Sequence, residues 1–131
     1  MMIAACDAAP RPDLPPVPAA LIASDELPLG DAASARLTRA SLAARDRIEP
    51  DAGPLEARIY LLPRAQVQPF IASLAQLPAP GWTIDQPPER QADGSLLAIY
   101  AREGRVLAYL LLDQVAGERI PVQRLYNADN P

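Results

Sequence analysis

The chain has 131 residues, 50% of them hydrophobic but only 5% aromatic, which predicts one domain with a core built mainly from Leu, Ala, Ile and Val. Its 12 basic residues are scattered among 16 acidic ones, which excludes the basic stripe of a nucleic-acid-binding surface. It contains no His and one Cys, which excludes histidine-based catalysis, imidazole metal ligands, CxxC motifs and an intrachain disulfide.

The first feature along the chain is the position of that single cysteine. Residues 3–6, Ile-Ala-Ala-Cys, resemble the lipobox of bacterial lipoproteins, in which an aliphatic residue and two small residues precede the lipidated cysteine. Only two methionines stand before the motif, so we interpret this start as a truncated signal peptide. The resemblance implies lipid attachment at Cys6 and a lipid-anchored protein of the bacterial cell envelope that faces the periplasm. The alternative is an ordinary N-terminus with an incidental cysteine.

A proline-rich stretch follows the cysteine. Five prolines fall within residues 7–20, and proline fixes φ and lacks a backbone donor, so this stretch is predicted to be an extended, polyproline-like spacer. Such a spacer, with a short strand near Leu21 and Ile22, would hold a folded domain up to roughly 60–75 Å from the membrane. We therefore assign residues 1–30 to a truncated signal and lipobox remnant and a Pro-rich tether.

Two helices and two strands are predicted next. Small and apolar residues recur every three or four positions over residues 31–49, which indicates an amphipathic helix that ends before Pro50. Residues 55–62 alternate between apolar and polar, as in a half-exposed strand. A second helix is predicted from about residue 68 to residue 77, a second strand over residues 82–84, and an exposed loop over residues 87–94.

The clearest element is a β-hairpin over about residues 95–113. Two apolar runs are joined by Glu103 and Gly104, a two-residue turn that would pair Tyr100 with Leu107. Both faces of this hairpin are apolar, so either something covers both faces or one face is an interface. A last strand is predicted at residues 120–126, with Pro121 suited to a sheet edge.

These elements predict an α+β fold, with an antiparallel β-sheet, a central hairpin and two helices packed on the sheet. The single α+β domain spans residues 31–126. Residues 127–131 are predicted to be a flexible tail.

The candidate binding residues are one arginine and four aromatic side chains on the predicted strands. Sharing one sheet face, they would line a shallow groove, while the alternative for each aromatic residue is a place in the core or at a sheet edge. The candidates are Arg58, Tyr60, Trp82, Tyr100 and Tyr109. No residue pattern predicts a catalytic pair, a metal site or a cofactor, so the chain is not expected to be an enzyme.

Three functions follow as hypotheses. The first is a non-catalytic cell-envelope lipoprotein domain that acts as a protein-binding or scaffold module and meets the membrane through lipidated Cys6. The second is a small acidic immunity or inhibitor protein that neutralises a toxin by charge complementarity. The third is a small-ligand-binding protein that uses the Tyr and Arg face. The expected partner is a protein, with no nucleic acid.

Overall fold

The computed structural model describes residues 12–24 and 31–128. Within these residues, six strands form one antiparallel sheet in the order β1-β2-β6-β5-β4-β3. The strands are β1 (Ile22–Ala23), β2 (Leu55–Pro63), β3 (Thr83–Arg90), β4 (Leu96–Arg102), β5 (Arg105–Leu111) and β6 (Arg119–Asn127). The same part of the chain contains the α-helices α1 (Asp31–Ala52) and α2 (Val67–Leu74), the latter preceded by a 3₁₀ turn, Arg64–Gln66. The predicted α+β class is confirmed.

The hairpin has the predicted register. Tyr100 pairs with Leu107 and Leu97 with Leu110. Glu103 and Gly104 have φ values of 46° and 85°, and positive φ at both central residues is the geometry of the tight turn that matches strand twist. A glycine at the second position therefore fixes the pairing of β4 with β5.

Both faces of the sheet are buried, which explains why the hairpin is apolar on both sides. Helix α1 covers one face, which we call the helix face, and its alanines Ala40 and Ala44 are 2% and 3% exposed. Helix α2 covers the other face together with residues 12–21, which we call the strap. Each hairpin face is therefore part of a core.

The strap belongs to the folded body, although the sequence assigns it to a tether. Pro15 and Leu21 are buried, and Leu14 packs against the core on its side of the sheet. The Arg124 side chain donates a hydrogen bond to the Pro15 carbonyl. A polyproline segment makes no internal hydrogen bonds, so its carbonyls can accept hydrogen bonds from other elements. Here the donor is a side chain of the sheet. Residues 1–11 and 25–30, the rest of the predicted tether, lie outside the described residues.

Three predicted boundaries near prolines are wrong. Helix α1 continues through Pro50 to Ala52. Pro50 has no amide to donate to the carbonyl of Asp46, but the chain stays helical after it, and the Gly53 amide donates to the Glu49 carbonyl at 2.9 Å. Helix α2 ends at Leu74 rather than at residue 77. Strand β3 continues to Arg90, so residues 87–90 are strand and not loop; β3 is an edge strand with register shifts, which tolerates proline.

Pro121 lies in a central strand and not at an edge. Strand β6 pairs with β2 on one side and with β5 on the other. The Pro121 carbonyl accepts a hydrogen bond from the Leu112 amide at 3.2 Å, just beyond the last residue of β5. The amide and the carbonyl of a strand residue point to the same side, so the missing Pro121 donor falls where the ladder with β5 ends.

Candidate functional site

The five candidate binding residues lie on the strap side of the sheet. The aromatic residues Tyr60, Trp82, Tyr100 and Tyr109 all belong to the core beneath α2 and the strap and are at most 8% exposed. Arg58 is exposed on β2, opposite Arg124 of β6. The structure thus brings the predicted residues to one face, but α2 and the strap fill most of the shallow groove expected there.

Arg124 is a buried polar residue of this face that is not among the predicted binding residues. It is 5% exposed, and its Nε donates to the Tyr109 hydroxyl at 3.2 Å. Its guanidinium carbon lies 5.9 Å from the centre of the Tyr109 ring, a cation–π distance. Together with the hydrogen bond to Pro15, these contacts tie the strap to the sheet. The available signal was a charged residue within an otherwise largely apolar final strand.

The two tyrosines of the hairpin pack edge to face, with ring centres 6.3 Å apart. The Tyr100 hydroxyl donates to the Leu74 carbonyl at the end of α2. Burial raises the pKa of Tyr100, and burial likewise raises the pKa of Tyr109, which the Arg124 charge partly opposes. Both phenols are therefore neutral at physiological pH and act as hydrogen-bonding groups rather than as bases.

An apolar cleft opens between the strap and the end of α2, and we call it the strap cleft. Its volume is about 380 Å³, within the range of small-molecule and side-chain pockets. It is lined by Pro15, Pro16, Val17, Pro18, Ser73, Leu74, Gln76, Leu77, Pro78, Tyr100 and Tyr109. None of these lining residues is charged, so the cleft is suited to apolar groups.

Two exposed hydrophobic side chains mark the strap cleft. Val17 is 40% exposed and Leu77 is 54% exposed, and both line the cleft. Of the predicted binding residues, Tyr100 and Tyr109 line this cleft. Val17 and Leu77 were missed because they lie in stretches that the sequence assigns to a tether and to the end of a helix.

The remaining predicted site residues do not line the strap cleft. Trp82 is buried in the core at 3% exposure, and Arg58 is exposed on β2 and is not among the residues that line the cleft. Cys6, the predicted lipid attachment site, lies outside the described residues.

The described residues contain no group of three or more His, Cys, Asp or Glu side chains placed to hold a metal ion. In this part of the chain, no helix has the length and apolar character needed to cross a membrane. Comparisons with protein-family models, curated proteins and solved structures find no match.

Proposed function

We propose that this chain is a non-catalytic, lipid-anchored protein-binding module of the bacterial cell envelope. Its strap cleft would hold an apolar segment of a protein partner. The observation that carries this proposal is the exposure of Val17 and Leu77 beside an uncharged cleft of about 380 Å³. Exposed apolar side chains clustered at a concave apolar surface are typical of protein interaction sites.

The anchor is supported by the lipobox-like residues 3–6. The strap contacts the sheet from Pro12 onward, since the Arg105 side chain donates to the Pro12 carbonyl at 3.4 Å. Only the segment from Cys6 to Pro12 would therefore separate the lipid from the folded body. Six residues span at most about 20 Å when fully extended. The anchored domain would therefore lie close to the membrane, instead of at the end of a spacer roughly 60–75 Å long.

Site-specific photo-crosslinking in the native host tests protein binding at the cleft. A photoreactive amino acid replaces Leu77, and in a matched control it replaces Leu42, which is 57% exposed on α1. Position 77 is expected to give a discrete heavier adduct that position 42 does not give. Absence of an adduct at position 77, or the same adducts at both positions, would contradict the proposed cleft.

Metabolic labelling with a fatty acid tests the anchor separately. Label is expected on the wild-type chain expressed in its native host and absent from Cys6→Ala, which should also leave the membrane fraction. Wild-type protein without label would overturn the lipid anchor and leave the binding experiment untouched.

A further inference from the structure

A second, smaller groove lies on the helix face, between the end of α1 and strand β3. We call it the acidic groove. It is lined by Arg47, Ile48, Asp51, Ala52, Asp85, Gln86, Ile99 and Val106. Its volume of about 220 Å³ is below the range of cofactor and drug-sized pockets, so it fits one side chain better than a cofactor.

Gln86 lines this groove with an unused hydrogen-bond acceptor. The residue is 5% exposed, and its Nε2 donates to the Leu97 carbonyl at 3.0 Å. Its Oε1 is buried and has no hydrogen-bond partner among the described residues. The register of β3 shifts on both sides of Gln86, which places it opposite Ile99 on the helix face. A buried acceptor without a donor costs about 1–3 kcal/mol, so a donor that reached Gln86 Oε1 would recover that cost.

The groove also carries two exposed carboxylates. Neither the Asp51 nor the Asp85 carboxylate forms an ion pair or a side-chain hydrogen bond within the described residues. Arg47, the one basic residue in the lining, donates to the Gln91 side chain at 3.5 Å. The groove therefore offers negative charge beside the Gln86 acceptor.

We propose that the acidic groove binds an arginine side chain of a protein partner. A guanidinium has five donors in a planar fork, so it can donate to the Gln86 amide oxygen and to a carboxylate at the same time. The apolar lining formed by Ile48, Ile99 and Val106 suits the methylene stem of arginine. This site lies on the opposite face of the sheet from the strap cleft, so it does not depend on the function proposed for that cleft.

Titration of the isotope-labelled chain with a small arginine probe, followed by NMR, tests the site. The probe is N-acetyl-arginine methylamide, with the citrulline and lysine analogues as neutral and ammonium controls. The arginine probe is expected to shift the Gln86 side-chain amide saturably, while the citrulline analogue does not and the lysine analogue binds more weakly.

Charge removal provides a matched test. The double variant Asp51→Asn, Asp85→Asn should weaken arginine binding about fivefold, as expected from the loss of two partly exposed charge contacts. Asp46→Asn, an exposed position on α1 outside the groove, should leave it unchanged. The proposal is overturned if the arginine probe gives no saturable shift at Gln86, or if the citrulline or lysine analogue binds as tightly as the arginine probe. It is also overturned if Asp46→Asn weakens arginine binding as much as the double variant does. None of these results bears on crosslinking at Leu77.

Discussion

Asn127 joins three parts of the molecule through one buried amide. Its Oδ1 accepts from the Val106 amide at 2.9 Å. Its Nδ2 donates to the Ala52 carbonyl at 3.0 Å and to the Gly104 carbonyl at 2.9 Å. The end of α1, the hairpin turn and β6 are thereby connected at a residue that is 1% exposed. The sequence assigns it to a flexible tail, because a polar residue near Pro, Asp and Asn has no local sign of burial.

Replacing this amide should destabilise the fold. Asn127→Ala removes three hydrogen bonds and leaves buried partners unpaired, so we expect a loss of about 2–4 kcal/mol in the free energy of unfolding. Urea denaturation of the variant and of the exposed control Gln68→Ala measures this loss. The free energy of unfolding of the control should differ from that of the wild-type chain by less than about 0.5 kcal/mol. A loss from Asn127→Ala no larger than that of the control would refute the role of Asn127.

The buried tyrosines predict a loss of stability at alkaline pH. Burial raises the pKa of Tyr100 and Tyr109 in the folded chain, whereas a tyrosine in the unfolded chain has a pKa near 10. The contribution of these two phenols to the free energy of unfolding is therefore fully present below about pH 10. As pH rises above 10, the unfolded chain loses phenol protons that the folded chain keeps. The free energy of unfolding then falls by up to about 1.4 kcal/mol per pH unit for each such phenol.

All the basic residues are arginines, so no lysine titrates in this alkaline range. Urea denaturation from pH 8 to about pH 11, with tyrosinate absorbance as a second signal, checks the prediction. Tyr100→Phe and Tyr109→Phe should each reduce the slope of stability against pH. A free energy of unfolding that stays constant through pH 11 would contradict the burial of these hydroxyls.

At the scale of elements, the strap should contribute to stability although it is rich in proline. Deletion of residues 1–6 keeps the whole strap and is expected to leave the free energy of unfolding unchanged. Deletion of residues 1–21 also removes the buried Pro15 and Leu21 and uncovers Arg124. It should cost about 3 kcal/mol or more, from the lost apolar burial. Chemical denaturation of both truncated proteins measures the difference, and equal stability would show that the strap does not pack on the sheet.

Elements whose pairing is encoded locally could be predicted from the sequence. The hairpin register followed from a two-residue turn between two apolar runs. Its two apolar faces indicated either that both are covered or that one is an interface. The central position of β6 depends on pairing with β2, which is far away in sequence, so Pro121 was misassigned to an edge. The strap was misassigned because a polyproline segment has the same composition whether it is solvated or packed.

The same distinction applies to the candidate site. Alternation along the strands predicted that Tyr100 and Tyr109 would share a face, and both line the strap cleft. The cleft itself could not be predicted, because it forms where the strap meets the end of α2, two segments without a shared local pattern. Arg124, which connects the strap to Tyr109, is recognisable only once that contact is known.

At the scale of the whole molecule, the sheet carries a different cover on each face. Helix α1 leaves the acidic groove beside β3, whereas α2 and the strap leave the strap cleft on the other side. A domain with an apolar recess on one face of its sheet and an acidic recess on the other is suited to contact partners on both sides. We expect partner binding at the strap cleft to be insensitive to salt and binding at the acidic groove to weaken as salt increases.

The most direct measurement compares how tightly two charge-insertion variants bind the partner. That partner is the protein that crosslinks at position 77, after its identification and purification. Leu77→Glu places a carboxylate at the strap cleft, and Leu42→Glu places one at an equally exposed position on α1. We predict that Leu77→Glu raises the Kd by about 30-fold, as for loss of an interface hot spot, and that Leu42→Glu changes it by less than about twofold. Equal affinities of the two variants for the partner would contradict the account.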